Sequence, residues 1–290
     1  MQNDLIVQLR RVRDFGQTIS DTFTFLKENW KPLYSAIGVV GLPPLIIVSL
    51  LMKFGMGSLD LSANSDGGMP EGLPSFFFSV FVAYIAILFV YLLCYAMVNE
   101  YMRACTLNEQ IGITTRELLS RGFSQLGSYF GLGFLSILMI MGGTILCFLP
   151  GIYLAIVLMI GPSCHAMERA GATGSISRSF KLMKDEWWET FGLVIIIGLI
   201  QWVIQQALSL PIMLLMGISM FAGMGPNGND PEATMVWFRT VFPIVMILGL
   251  GIGMITYPIG AIAASMRYFT LVEKKEAVGL GDEVKRFDQL

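Results

Sequence analysis

Six long apolar runs divide this chain, and short polar segments separate them. Most approach the roughly 20 apolar residues that an α-helix needs to cross the hydrocarbon core of a bilayer. The second run is clear, because its 24 residues contain no charged residue and are enough to cross with some tilt. The runs cover residues 33–54, 75–98, 128–149, 152–167, 188–210 and 241–266. We therefore predict six transmembrane helices.

Bulky apolar residues recur at spacings of 4, 3 and 4 in the segment before three of these runs, which places them on one helix face. The three sets are Ile19, Phe23, Leu26 and Trp30; Leu119, Phe123, Leu126 and Phe130; and Ile176, Phe180, Met183 and Trp187. This repetition favours three related units, each an amphipathic helix followed by a hairpin of two spans. The units are residues 17–103, 114–169 and 173–267. The alternative is that helices leading from the cytoplasm into a membrane converge on this composition.

An aromatic residue closes each of the three sets. We expect Trp30, Phe130 and Trp187 to be equivalent, each at the headgroup level where a pre-span helix meets its span.

Prolines and glycines predict where the spans turn or break. Only Pro150 and Gly151 separate spans three and four, which predicts a tight hairpin. We expect Pro211 to break the fifth apolar stretch, which otherwise continues to residue 224 and exceeds what a bilayer requires. Residues 212–224 are then interfacial or re-entrant. Further helix breaks are expected at Pro43–Pro44 and Pro258, and broken helices often line transport sites.

The remaining segments are polar and connect or flank the spans. Residues 55–74 and 225–232 are predicted loops, and residues 268–290 a polar tail. Glycines 249, 251 and 253 lie within the sixth span and indicate close helix packing or a flexible point. Residues 1–16 are polar and basic, without the apolar core and cleavage site of a signal peptide.

Composition supports the membrane assignment. Hydrophobic residues make up 54% of the chain and charged residues 14%, whereas ordinary soluble domains contain roughly 25% charged residues. We therefore predict an all-α integral membrane protein with six transmembrane helices in three hairpins, each preceded by a cytoplasmic amphipathic helix.

The distribution of basic residues predicts the orientation. Seventeen of the 19 lysines and arginines lie in the two terminal segments and in the connections after spans two and four. Only Lys53 and Arg239 remain for the opposite side. By the positive-inside rule, both termini are cytoplasmic. We expect the membrane to be the plasma (inner) membrane.

The residue types needed for catalysis are sparse. The cysteines are Cys94, Cys105, Cys147 and Cys164, and their spacing matches no zinc or disulfide framework. One histidine, His165, cannot supply a multi-histidine metal centre. We interpret it as a packed amphipathic residue. No nucleotide-binding loop or nucleophile elbow is present, so we expect no enzyme activity, cofactor or metal.

Charged residues recur at the inner ends of the hairpins and on the third pre-span helix. They are Glu100, Arg103, Glu168, Arg169, Arg178 and Arg267. One hypothesis is a polar cluster that binds a lipid headgroup or an anionic solute. The structural alternative is that these residues anchor span ends and cap helix C-termini. We expect Arg178 to make a two-point contact, with Glu168 as its partner rather than a lipid phosphate.

One stretch resembles a known family. Residues 168–192, ERAGATGSISRSFKLMKDEWWETFG, look like multi-pass bacterial membrane proteins related to the membrane domain of glycerophosphodiester phosphodiesterases. That group has a Glu closing a span, a small-residue turn, an Arg-Ser pair, a Leu and an aromatic pair. Here these are Glu168, Gly171, Arg178–Ser179, Leu182 and Trp187–Trp188. The segment ISDTFTFLKENWKPL resembles the same unit with Asp21–Thr22 in place of Arg-Ser. The group's phosphodiesterase activity resides in a separate soluble domain, for which this chain has no room, so the resemblance implies a membrane module without catalysis.

Three functions are compatible with these features. The first is a non-enzymatic module that organises or handles lipid, a lipid-derived solute or a partner protein at the inner leaflet. The second is a transporter or channel for a small or lipid-like solute, suggested by the helix breaks. An intramembrane enzyme is the third, and the missing polar residues argue against it. Membrane lipids are the expected partners, together with a partner membrane protein or a second copy of the chain; nucleic acid is not expected.

Overall fold

Nine α-helices make up the part of the chain that the computed structural model describes, residues 7–58, 72–107, 113–223 and 231–277. Those residues contain no β-strand. The helices are α1 (Phe15–Glu28), α2 (Trp30–Gly57), α3 (Leu73–Thr106), α4 (Thr115–Leu146), α5 (Phe148–Leu158), α6 (Gly161–Glu168), α7 (Gly171–Met183), α8 (Trp187–Gly223) and α9 (Pro231–Glu276).

Six helical segments are long and apolar enough to cross a membrane, as predicted. They are Trp30–Gly57, Leu73–Thr106, Thr115–Leu146, Phe148–Glu168, Trp187–Ile218 and Pro243–Glu276. The chain is therefore a helical, multi-pass membrane protein. Most of the two predicted polar loops, and residues 278–290 of the predicted tail, lie outside the described residues. Residues 268–276 are part of α9 rather than of a tail, because Tyr268, Phe269 and Leu271 are buried.

The chain divides into two compact units. Unit 1 contains Met1–Ala36, Leu92–Gln201 and Tyr257–Leu290, and unit 2 contains Ile37–Tyr91 and Trp202–Thr256. Close helix packing in unit 2 involves glycine, as predicted for one of the three glycines in span six. A side chain at Gly253 would meet the Tyr91 hydroxyl at 2.5 Å, whereas Gly249 and Gly251 have open space around them.

Two of the three pre-span helices are separate elements. An Asp14–Gln17 capping box begins α1, and Asn29 ends it with φ of −109°. Asp185, with φ of 67°, separates α7 from α8. The middle pre-span segment differs from the prediction, because it is continuous with its span in α4. Phe130 therefore lies within an unbroken helix, whereas Trp30 and Trp187 begin α2 and α8.

The predicted helix breaks at proline are wrong for this structure. Pro43 and Pro44 lie inside α2, Pro211 lies inside α8, and α9 is continuous through Pro258. Membrane helices tolerate proline because local adjustments satisfy the freed carbonyls. Residues 212–223 therefore continue the fifth helix; Met224 lies outside the described residues. The break that does occur is at residues 159–160, next to Gly161 and Pro162 at the start of α6.

Helix α4 packs antiparallel to the α5–α6 segment. The turn lies at Cys147, whose extended backbone (φ −170°, ψ 148°) ends α4, so Pro150 and Gly151 fall in the first turn of α5 rather than between the spans. A side chain at Gly151 would collide with Thr144, and one at Gly143 would lie 3.2 Å from Pro150 and Gly151 backbone atoms. Small residues permit this approach, as is usual between membrane helices.

The buried face of each pre-span helix is offset by about one residue from most of its bulky apolar stripe. The bulky residues Trp30, Phe123 and Phe130 are 53%, 51% and 63% exposed. Half of the residues that face the core are small. The buried positions are Thr18, Thr22 and Phe25 in α1; Leu118, Gly122 and Tyr129 in α4; and Ser175, Ser179, Leu182 and Met183 in α7. Met183 is the one buried member of the bulky stripe among these positions. Burial of small residues and exposure of bulky apolar ones is the arrangement expected in lipid, where the solvent is as apolar as leucine.

A buried polar cluster joins spans two, four and six inside unit 1. It consists of Asn99 on α3, Ser163 on α6 and Ser265 on α9, all fully buried. Both serine hydroxyls donate to Asn99 Oδ1, at 3.1 Å from Ser163 and 3.3 Å from Ser265, and lie 3.0 Å apart. Hydrogen bonds of this kind hold helices together where the hydrophobic effect does not.

Candidate functional site

The six charged residues predicted from the sequence all belong to unit 1, and they form separate groups rather than one constellation. Glu100 pairs with Arg169, although Arg103 is closer in sequence. Arg178 pairs with Glu168 and Glu276. Arg267 pairs with two glutamates at the start of α8.

The pair of Glu100 and Arg169 is the most buried. Both carboxylate oxygens of Glu100 accept hydrogen bonds from the guanidinium, at 2.8 Å from Nη1 and 2.6 Å from Nη2. The Glu100 side chain is fully buried, and that of Arg169 is 32% exposed. Arg169 ends α6 in the left-handed conformation (φ 53°), which is unfavourable for a residue other than glycine. The backbone strain and the two-point contact together indicate that this arginine is placed to neutralise a buried carboxylate.

Arg178 bridges the ends of two helices. Its Nε donates to Glu168 Oε1 at 2.8 Å, so the expected partner is present but the contact is a single hydrogen bond. The two-point contact goes to Glu276, at 2.6 Å and 2.8 Å. Tyr268 also donates to Glu168 Oε1 at 2.8 Å. The hydrogen bonds to Glu276, more than those to Glu168, raise the pKa of Arg178 above its usual value.

Arg267 contacts residues at the start of α8 and does not cap the end of α9. Its side chain is 2% exposed, and its Nε donates to the Thr190 hydroxyl at 2.9 Å. Its Nη2 lies 3.2 Å from Glu186 and 3.2 Å from Glu189. The prediction that Arg267 caps a helix C-terminus is therefore wrong, since α9 continues past it for nine residues.

The end of α9 also holds the end of α7. Lys275 Nζ donates to the carbonyl oxygens of Lys181 and Lys184, at 3.0 Å and 2.7 Å. These carbonyls have no partner within α7, and a cation is favoured at this end of the helix dipole.

A contact between equivalent positions occurs three times, once as a hydrogen bond, once as a ring contact and once as an ion pair. Each contact joins a residue where a pre-span segment meets its span to a residue two positions after Asn99, Ser163 or Ser265 of the buried polar cluster. Tyr101 donates to Asn29 Oδ1 at 2.7 Å; the His165 ring packs edge-on to Tyr129 with centroids 4.9 Å apart; and Arg267 pairs with Glu186. Asn29, Tyr129 and Glu186 occupy matching positions in the three sets of the sequence pattern.

Within the described part of the chain, Arg103 is the predicted charged residue for which no ion pair is found. Its guanidinium makes no hydrogen bond or ion pair with the described residues. It lines a cavity of about 280 Å³ at the C-terminal ends of α3, α6 and α9, which we call the span-end cavity. The charged side chains around this cavity are Arg10, Arg103, Arg178, Glu168, Glu273 and Glu276. Apolar residues, including Leu107 and Val272, complete its wall. An amphipathic cavity of this size can hold a polar group attached to an apolar chain.

No group of three or more His, Cys, Asp or Glu residues within the described ranges could hold a metal ion. The cysteines are free, and Cys94, Cys105 and Cys164 are buried. His165 is buried, and neither ring nitrogen has a hydrogen-bond partner among the described residues.

Comparison with protein-family models, with curated proteins and with solved structures finds no match to this chain. The sequence missed Glu276, Tyr268 and Glu186 as partners. Glu276 and Tyr268 lie in the segment predicted to be a polar tail. Glu186 lies in the third pre-span segment, whose charged residues are mostly arginine and lysine. The only sequence signal was the presence of carboxylates near each group of arginines.

Proposed function

We propose that this protein is a non-enzymatic membrane module that binds lipid at the inner leaflet. The observation that carries this proposal is the span-end cavity, where Arg103 and the ion pairs of Arg178 stand beside apolar residues. A lipid presents the same combination of a charged headgroup and apolar chains. Polar residues at this depth are costly unless they are paired or used for binding.

The arrangement in the membrane is also proposed. The count of basic residues favours both termini in the cytoplasm of a cell with a plasma (inner) membrane, which puts the span-end cavity at the inner leaflet. Three related units are supported by the recurring contacts of Asn29, Tyr129 and Glu186. Equivalent ion pairs of opposite polarity support the repeat further. Arg178 and Asp21 occupy matching positions in their units, and each pairs with a residue ten positions earlier, Glu168 and Arg11 respectively.

Thiol labelling tests this orientation. In a variant without the four native cysteines, cysteines introduced at Ser65 and Asn229 are expected to react with an impermeant maleimide in intact cells. A cysteine at Gln289 is expected to react only after the membrane is permeabilised. Gln289 is preferred to a position such as Glu276, whose ion pair would be lost. Labelling of Gln289 in intact cells, with no labelling of Ser65, would reverse the proposed orientation.

Filling the cavity tests the lipid-binding function. Leu107 lines the span-end cavity and is 48% exposed. We expect Leu107→Trp to reduce lipid retention by the purified full-length protein about tenfold, equivalent to about 1.4 kcal/mol. Native mass spectrometry of protein extracted in mild detergent measures the retained phospholipid.

The matched control is Leu138→Trp, because Leu138 is 49% exposed on α4 and does not line the cavity. It is expected to retain lipid as the unchanged protein does. If both variants and the unchanged protein retain no phospholipid, the proposed function is wrong.

Transport remains the second proposal for function, but its support is weaker. It was suggested by breaks at Pro43–Pro44, Pro211 and Pro258, and the helices are continuous through these residues. The resemblance to the membrane domain of glycerophosphodiester phosphodiesterases is likewise a proposal, as is association with a partner membrane protein or with a second copy of the chain.

A further inference from the structure

We infer that the span-end cavity selects the headgroup of a zwitterionic phospholipid that carries a primary ammonium, of the phosphoethanolamine class. The inference rests on the proposed lipid-binding function and names the ligand of the same cavity. The phosphate binds Arg103, and the ammonium binds the carboxylates around Arg178.

Arg103 provides the anion-binding side. It stands on the last turn of α3, half-buried, and its guanidinium has no partner among the described residues. A planar guanidinium binds phosphate with two parallel hydrogen bonds, which a lysine cannot reproduce. A phosphate in the cavity would supply the counter-charge that Arg103 lacks.

Another part of the cavity wall has excess negative charge. Arg178 is shared by two carboxylates, those of Glu168 and Glu276, so this group of three side chains carries a net charge of −1 when ionised. Oxygen Oε1 of Glu168 accepts from both Arg178 and Tyr268, whereas Oε2 makes no hydrogen bond with the described residues. An ammonium with three N–H donors matches this free oxygen.

The balance of charge distinguishes zwitterionic from anionic lipids. Three arginines and three glutamates line the cavity. An anionic headgroup without a cation would satisfy Arg103 and leave the Glu168 group with its excess charge. A choline headgroup would satisfy the charge, but it has no N–H to donate to the free oxygen of Glu168. A primary ammonium satisfies both the charge and the hydrogen-bonding capacity.

The apolar part of the wall indicates a lipid rather than a free headgroup. Leu107, Met167, Phe269 and Val272 line the cavity beside the charged residues. A soluble phosphodiester would leave this surface without an apolar partner, whereas the glycerol and first acyl carbons of a phospholipid would cover it.

The test compares lipids on the full-length protein after delipidation in detergent. The ligands are phosphatidylethanolamine, phosphatidylcholine and phosphatidylglycerol with the same acyl chains, and soluble glycerophosphoethanolamine. We expect phosphatidylethanolamine to bind about tenfold more tightly than either other lipid by native mass spectrometry. Arg103→Gln should reduce binding of all three phospholipids, and Glu168→Gln should abolish only the preference for phosphatidylethanolamine over phosphatidylglycerol.

Arg121→Gln is the control, because Arg121 lies on α4 and does not line the cavity. Thermal unfolding without added lipid identifies any variant that fails to fold. If Arg103→Gln does not fold, the loss of lipid preference in Glu168→Gln still tests the inference. Equal binding of the three lipids would overturn this inference and leave the proposed function in place, whereas no binding of any lipid would overturn both. Binding of glycerophosphoethanolamine as tight as that of the lipid would overturn the assignment of a phospholipid ligand, because the apolar wall would then contribute nothing to binding.

Discussion

Arg169→Ala is expected to destabilise the protein by about 3–5 kcal/mol, since it leaves a buried carboxylate without its counter-ion. Glu100 is fully buried, and Arg169 supplies hydrogen bonds to both of its carboxylate oxygens. Thermal unfolding of the purified protein in a lipid-like detergent measures the loss. In a Glu100→Gln background the same substitution should cost only about 1–2 kcal/mol, because no buried charge is then exposed to the apolar interior.

Two further variants separate the ion pair from other effects. Arg169→Gly should be less damaging than Arg169→Ala by about 1 kcal/mol, because glycine adopts the left-handed conformation of residue 169 without strain. Arg121→Ala removes a surface pair with Glu117, spaced four residues apart on α4, and should cost no more than about 0.5 kcal/mol. If Arg169→Ala were as mild as Arg121→Ala, the pair with Glu100 would have no special role in stability.

Arg178→Lys is expected to be nearly as damaging as Arg178→Ala, each lowering stability by about 2–3 kcal/mol. Lysine keeps the positive charge, but its single ammonium cannot contact Glu168 and make a two-point contact with Glu276 at once. The predicted magnitude is limited because the three side chains are partly exposed, and solvent screens their attraction. Folded yield and thermal unfolding in lipid-like detergent compare the two variants with the unchanged protein.

Glu276→Gln provides the matched test from the other side of this contact. It keeps the shape of the side chain and removes the charge, so it should weaken the Arg178 contact and lower the unfolding temperature less than Arg178→Ala does. Arg121→Lys is the control for loss of a guanidinium at a surface pair. If Arg178→Lys behaved like the unchanged protein while Arg178→Ala did not, Arg178 would be only an electrostatic anchor.

The sequence alone was sufficient for the class of protein and the number of spans. Length and apolar composition are local properties, and a run of about 20 apolar residues has few alternatives to a membrane helix. For the same reason the segments 75–98 and 188–210 fall within α3 and α8. The sequence also identified the charged residues Glu100, Glu168, Arg169, Arg178 and Arg267, because charges near span ends are rare enough to stand out.

Only the tertiary structure decided which residues these charges contact and which helix face is buried. Glu100 and Arg169 are 69 positions apart, and Arg178 and Glu276 are 98 positions apart, so no local pattern joins them. In α7 the bulky residues Ile176 and Phe180 are only partly buried, whereas Ser175 and Ser179, one position earlier, are fully buried and permit close packing. The sequence pattern places the bulky residues on one face but does not say which face meets the neighbouring helices. Periodicity determines the helix, and the surrounding solvent together with the neighbouring helices determines which face it buries.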